Sequence, residues 1–162
     1  MNKQDIYAYF EQRGIEYEAT EHGAVYNMDE LSKIDLPHPE ADAKNLFVRD
    51  DKKRNYYLIT VKGDKRVDLK EFASKYGTRK LSFASADDLM TILGLIPGAV
   101  TPLGLLNDAE HRVILYLDAE FKSAPHLIGV HPNDNTATVW LNTNDLVRLI
   151  EEHGSEVNYF EI

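Results

Sequence analysis

Two apolar runs joined by a short polar segment constrain the fold of this chain more than any other feature. Residues 43–48 and 56–61 both have the composition of β-strands, and the seven residues between them are all polar or charged. A connection of this kind is typical of a hairpin between antiparallel neighbours. We therefore expect the first third of the chain to begin a β-meander.

Helices and further strands follow in no strict alternation. Apolar residues have helical spacing in residues 3–13, and Asn27 with Glu30 resembles a capping box before a short second helix that contains Met28, Leu31 and Ile34. Similar boxes begin helices at Asp68 and Ser85, and a last helix is predicted at about 144–152. Shorter strands are expected at 15–19, 80–83, 113–117, 126–130, 136–141 and 157–162. This order predicts an α+β (mixed α/β) fold rather than a doubly wound parallel sheet, in one domain that spans residues 1–162.

Several classes of function are excluded by residues that the chain lacks. It has no cysteine, which rules out a thiolate zinc site and a cysteine nucleophile. None of the serines stands in the G-x-S-x-G motif of a nucleophile elbow, and the sequence has no glycine-rich nucleotide-binding loop. The histidines outside position 131 do not have metal-ligand spacing, so we predict no metal and no cofactor. No signal peptide or membrane span is evident, and we expect a cytoplasmic protein.

Charge is distributed unevenly along the chain. The net charge is −9, but residues 52–80 carry ten basic and three acidic side chains, so this stretch is +7 and the remainder is −16. A basic stretch is either a solvated surface or an electrostatic footprint for RNA. Candidate RNA-binding residues are Lys52, Lys53, Arg54, Lys62, Lys65, Arg66, Arg79 and Lys80.

Three places in the sequence have the composition of a ligand site. Residues 94–104 contain three glycines and two prolines and few polar side chains, and apolar loops of this kind often shape a pocket with backbone groups. Lys44 stands at the start of an apolar strand, where it is either an edge lysine that opposes aggregation or a cation directed at a ligand. His131 follows a strand and precedes Pro132, and it is either a hydrogen-bonded structural residue or a proton-handling group.

Three motifs together resemble the YbaK/ProX family of prolyl-tRNA editing proteins. They are Ala43-Lys44-Asn45-Leu46-Phe47, the Gly98-to-Pro102 loop with its Gly-x-x-x-Pro pattern, and Gly129-Val130-His131-Pro132 followed by Asn135-Thr136-Ala137-Thr138. Their order and spacing match that family across nearly the whole chain. The resemblance implies a mixed, mainly antiparallel sheet with flanking helices around a small substrate pocket.

The resemblance also implies a function and a set of site residues. It points to a trans-acting hydrolase that removes a wrong amino acid from tRNA(Pro), with alanine as the first candidate, cysteine the second and serine the third. Lys44, Gly98 and His131 are the implied catalytic residues, and Asn45, Ala99, Val100, Thr101 and Pro102 are the implied substrate-binding residues. Thr136 and Thr138 are expected to face the pocket and solvent as ordinary strand residues. The partners implied are the acceptor end of tRNA(Pro) and prolyl-tRNA synthetase. Alternatives are a tRNA- or synthetase-binding module without activity and a small-molecule binding protein.

Overall fold

The described α-helices begin after residues whose side chains form capping hydrogen bonds. The structure is a computed structural model that describes residues 1–27, 29–30 and 33–162. The helices that it describes are α1 (Lys3–Gln12), α2 (Leu69–Tyr76), α3 (Ala86–Asp88, continued by a π-helical turn at Leu89–Leu93) and α4 (Thr143–His153). Each begins after a side-chain oxygen that accepts a hydrogen bond from a backbone N–H of the first turn. The capping residues are Asn2, Asp68, Ser85 and Asn142.

The strands form two sheets. They are β1 (Tyr17–Glu21), β2 (Ala43–Asp50), β3 (Tyr56–Lys62), β4 (Leu81–Phe83), β5 (Val113–Asp118), β6 (Leu127–Val130), β7 (Ala137–Asn142) and β8 (Val157–Phe160). One sheet has the order β1-β7-β6 and is antiparallel; the other has the order β4-β2-β3-β5-β8, with β5 parallel to both its neighbours. The predicted α+β fold and the predicted β2–β3 hairpin are confirmed.

The five-stranded sheet is buried on both faces around its central strand. Tyr56 and Leu58 of β3 belong to the larger core cluster, whereas Tyr57, Ile59 and Val61 belong to the cluster that α2 covers. Successive side chains of a strand point to opposite faces, so a strand buried on both sides has an unbroken apolar run. This explains why β3 has no polar alternation in the sequence.

The two sheets meet where β2 begins. A parallel bridge joins Asp42, just before β2, to Gly129 of β6. A Cβ atom at residue 129 would lie 2.6 Å from Nε1 of the buried Trp140, so only glycine allows β6 to approach β7 this closely. The junction places the start of β2 beside the end of β6, which are the positions of Lys44 and His131.

Two segments of the chain can be compared with their predictions from the sequence: the apolar loop and the short second helix. The apolar loop predicted at 94–104 ends earlier, because a 3-10 helix at Pro102–Asn107 begins after Thr101, whose hydroxyl accepts from the Leu103 N–H at 3.3 Å. The predicted short second helix includes Met28 and Leu31, which lie outside the described residues. The Asn27 side chain accepts from the Glu30 N–H at 2.8 Å, which is one bond of a capping box, whereas the Glu30 carboxylate accepts from the N–H of Tyr26, the residue before the cap, at 2.8 Å. No helix in the described part of the chain is long and apolar enough to cross a membrane.

Candidate active site

A pocket of about 240 Å³ lies at the junction of the two sheets. Four segments contribute to it: the start of β2, the loop that contains Gly98, the end of β6 with the opposite position on β7, and the segment after β1. The residues that line it are Tyr26, Asn27, Ala43, Lys44, Asn45, Leu46, Gly98, Val100, Gly129, Val130, His131 and Thr138. The pocket therefore brings together the three motifs that the sequence singled out.

The start of β2 supplies the ammonium of Lys44 to the pocket. The half-buried Lys44 donates from Nζ to the backbone carbonyl of Lys65 at 3.3 Å. An ammonium has three N–H groups, so this contact leaves donors for a ligand. The side chain of the next residue, Asn45, points to the other face of β2, where its Oδ1 accepts from the Thr60 hydroxyl at 2.7 Å, so its predicted contact with substrate stays a prediction.

The Gly98 loop approaches the pocket through two of its five residues. Gly98 and Val100 line the pocket, whereas Ala99, Thr101 and Pro102 are buried and are not among its lining residues. The Ala99 N–H donates to the Ile96 carbonyl at 3.1 Å, so that amide is committed within the loop. The predicted contacts of Ala99, Thr101 and Pro102 with substrate thus stay predictions, while their observed role is to hold the loop.

His131 is a neutral imidazole with one committed nitrogen. Its Nδ1 lies 2.9 Å from the Ala137 carbonyl, which can only accept, so Nδ1 carries the proton. Burial lowers the pKa of His131 below its usual value. The ring is therefore uncharged at neutral pH, and Nε2 remains as an acceptor.

Sequence reasoning passed over two residues, one that lines the pocket and one that bonds to its wall. His22 was set aside with the other histidines, but its Nε2 lies 2.9 Å from the hydroxyl of Thr138, which lines the pocket and is 2% exposed. Tyr26 lies at the rim with 59% of its surface exposed. No local pattern marks these residues, because His22 and Thr138 are 116 positions apart and meet only through β1–β7 pairing.

The basic stretch does not form one surface. Lys52, Lys53 and Arg54 are exposed in the β2–β3 turn, near the exposed Arg79 and Lys80, and Arg79 pairs with Asp51 at 2.6 Å. Lys62 and Lys65 lie at the other end of the hairpin, near the pocket, with Arg66 beside them. The two ends are about 20 Å apart at about 3.3 Å per strand residue.

Acidic side chains already contact part of this stretch. Lys62 pairs with Glu120 at 3.5 Å, and Lys65 pairs with the buried Asp118 at 2.8 Å. Within the described part of the chain, ion pairs therefore already engage some of the ten basic side chains of this stretch, and fewer of them remain available than the sequence indicates. The described residues also contain no group of three or more side chains suited to hold a metal ion.

Asp42 at the sheet junction should make the stability of the protein depend on pH. Its side chain is 8% exposed, and burial, aided by the nearby Glu40, raises the pKa of Asp42 from 3.8 to about 6. A raised pKa means that this group's stabilising contribution is complete below about pH 4 and is lost as the pH rises through 6. We expect Asp42→Asn to raise the free energy of unfolding at pH 8 by about 2–3 kcal/mol, with a smaller gain at pH 4.5.

Urea unfolding of the two proteins at both pH values checks this expectation. The exposed Asp64 provides the control, since Asp64→Asn should change stability little at either pH. Equal stability of Asp42→Asn and the natural protein at pH 8 would contradict the prediction.

Known proteins are similar to this chain over most of its length. Residues 22–149 match the model of the aminoacyl-tRNA editing domain family. The prolyl-tRNA editing protein ProX of Acetoanaerobium sticklandii is 39% identical over 160 residues, which cover 99% of this chain and 97% of that protein. A prolyl-tRNA synthetase associated domain-containing protein 1 of Danio rerio is 32% identical over 155 residues, covering 93% of this chain and 82% of the relative.

A solved structure has the same fold at low identity. It is provisionally described as a trans-editing enzyme for prolyl-tRNA synthetase, and it superimposes with a TM-score of 0.71 at 19% identity, over 99% of this chain and 96% of the other. At that identity the likeness is evidence of the fold alone.

Proposed function

Because this chain belongs to the aminoacyl-tRNA editing domain family, we propose that it is a trans-acting hydrolase that deacylates mischarged tRNA(Pro), with alanine as the preferred amino acid. The observation that carries the proposal is the single pocket at the sheet junction that Lys44, Gly98 and His131 line together. Those are the three residues that the family resemblance marks as catalytic. The full-length similarity to a prolyl-tRNA editing protein supports tRNA(Pro) as the substrate.

The size and lining of the pocket support a small amino acid. Its volume of about 240 Å³ is below the range of about 300–1,000 Å³ that holds drug-sized ligands. Ala43, Leu46, Val100 and Val130 provide apolar contacts for a short side chain. A second site for small side chains corrects errors that a proline site cannot reject by binding alone, since one methylene discriminates by only about 1–3 kcal/mol.

The geometry supports hydrolysis by a positioned water. Lys44 Nζ would donate to the carbonyl oxygen of the ester and stabilise the charge that develops there, with free amides of the Gly98 loop as further donors. Water forms the new C–O bond, the bond to the terminal ribose oxygen breaks, and the proton of the water passes to that oxygen as the leaving group. An aminoacyl ester is already activated, so placement and carbonyl polarisation supply most of what the reaction needs.

The pocket rim supports the acceptor end of tRNA as the part that binds. The pocket holds an aminoacyl group but is too small for the nucleoside as well, so the terminal base would lie outside, beside Tyr26. The ring of Tyr26 is exposed and packs against Gly98, and exposed aromatic rings stack on unpaired bases. Lys52, Lys53 and Arg54, which have no ion pair among the residues that the structure describes, lie about 20 Å away, where they would meet the acceptor stem.

The direct test is the deacylation of tRNA(Pro) charged with alanine, cysteine, serine or proline. We expect rapid loss of alanine, slower loss of the other small residues, and proline hydrolysed at close to the uncatalysed rate. Adding salt from 50 to 200 mM should raise KM, because contacts with phosphate are weakened by salt. If tRNA mobility shifts while no ester is hydrolysed faster, the protein is a binding module without activity and the proposal fails.

A further inference from the structure

A chain of hydrogen bonds fixes the direction in which the Thr138 hydroxyl points its proton. His22 Nδ1 lies 2.8 Å from the Gly23 carbonyl, which can only accept, so Nδ1 carries the ring proton. The tautomer with the proton on Nδ1 leaves His22 Nε2, 2.9 Å from Thr138 Oγ1, as an acceptor. The Thr138 hydroxyl must therefore donate to His22, and only its lone pairs remain for the pocket.

His131 presents the same polarity beside it. The β6–β7 register pairs Val130 with Val139, so the next position places His131 opposite Thr138. The rings of His22 and His131 lie 6.3 Å apart, which puts the three side chains in one cluster. Because His131 commits its own proton to the Ala137 carbonyl, the pocket wall made by Thr138 and His131 offers two acceptors and no donor.

The start of β2, beside this wall, has the complementary polarity. Lys44 lines the pocket there, and its ammonium is a donor. A substrate in this pocket is oriented by its own polar groups, because a carbonyl oxygen is attracted to Lys44 and a group rich in N–H donors is attracted to Thr138 and His131. An α-aminoacyl ester carries both a carbonyl oxygen and an α-ammonium group.

We propose that Thr138 and His131 bind the α-ammonium group of the aminoacyl ester and that His22 is the positioning residue that makes Thr138 an acceptor. This inference rests on the proposed function and deepens it, because it requires the substrate to carry a free α-amine. Buried hydrogen bonds to a charged group are stronger than those between neutral groups, so the site distinguishes an α-ammonium from an uncharged isostere.

The test compares Ala-tRNA(Pro) with lactyl-tRNA(Pro), in which a hydroxyl replaces the α-amine and leaves the size of the acyl group nearly unchanged. Each kcat/KM is divided by the uncatalysed hydrolysis rate of the same ester, which removes the difference in intrinsic reactivity. We expect the natural protein to prefer the alanyl ester by about 10- to 100-fold, the effect of hydrogen bonds to a charged group.

Variants assign the preference to these residues. Thr138→Val should lower the alanyl rate about tenfold or more and the lactyl rate little, so the preference falls, whereas Thr138→Ser should keep it. His22→Ala frees the Thr138 hydroxyl to turn its proton toward the pocket, so the preference should fall without any loss of a group that contacts the substrate. His153→Ala is the matched control, because His153 is also half-buried and bonded to a backbone carbonyl, that of Asp108 at 3.2 Å, but does not line the pocket.

Each result decides a separate point. If the natural protein hydrolyses the alanyl and lactyl esters with equal enhancement, the α-ammonium site is wrong while the proposed function stands, and this result needs no variant to fold. If Thr138→Val and His22→Ala slow both esters equally, their role is structural and the proposal is overturned. If neither ester is hydrolysed faster than in buffer, the proposed function fails, and this inference fails with it.

Discussion

Replacing Lys44 by methionine should lower kcat/KM for deacylation of Ala-tRNA(Pro) by about 10²–10³-fold, as does the loss of one donor to a developing oxyanion in other acyl-transfer enzymes. Methionine keeps the length and the apolar stem of the side chain, so β2 and the pocket wall should remain in place. The effect would then report the lost ammonium, which is the donor on the β2 side of the pocket. Single-turnover deacylation with enzyme in excess over the charged tRNA measures the chemical step.

Lys122 provides a matched control for this substitution. Its ammonium lies 4.5 Å from the centre of the Tyr159 ring, and it does not line the pocket. Lys122→Met removes the same charge from the protein and should leave the deacylation rate unchanged. If Lys44→Met deacylates as fast as the Lys122 variant, Lys44 has no part in the chemistry.

Replacing Gly98 by alanine should also lower the deacylation activity strongly, because it would displace the loop that lines the pocket. Gly98 has a φ of +91°, which side-chain-bearing residues rarely adopt, and a Cβ atom there would lie 2.7 Å from Cδ1 of Tyr26 and 3.3 Å from its Cα. The loop and the Tyr26 segment must therefore separate. Because a misplacement of about 1 Å in a positioned site can cost about 100-fold in rate, we expect a loss of that size in kcat/KM, with about 1–3 kcal/mol of stability.

Gly77 provides a control that separates the effect of backbone strain from the effect of the close contact with Tyr26. It ends α2 with a φ of +70°, and a Cβ there would meet no atom within 4 Å. Gly77→Ala should lower the free energy of unfolding by about 1 kcal/mol and leave deacylation intact. Were the two variants equally active, the close approach of Gly98 to Tyr26 would be irrelevant to the site.

The sequence by itself determined the features that depend on neighbours a few residues apart. The caps at Asp68 and Ser85 are hydrogen bonds to N–H groups two or three residues on, so residue type and spacing suffice to predict them. The β2–β3 hairpin follows from two apolar runs and a seven-residue polar connection. The motifs around Lys44, Gly98 and His131 also identified the family, because they are contiguous in the chain and keep a fixed order.

Only the tertiary structure decided which of these residues share a site and what surrounds them. The bridge between Asp42 and Gly129 joins the two sheets, and no local pattern encodes a contact across 87 positions. The same holds for His22 and Thr138, whose hydrogen bond depends on the register of β1 against β7. Strand pairing also placed the cations of the β2–β3 turn and Lys62 with Lys65 at opposite ends of the hairpin, and the fold brought acidic partners to Lys62 and Lys65. Residue types state what each side chain can donate or accept, but the direction in which it does so is set by groups that only the folded chain brings within hydrogen-bond distance.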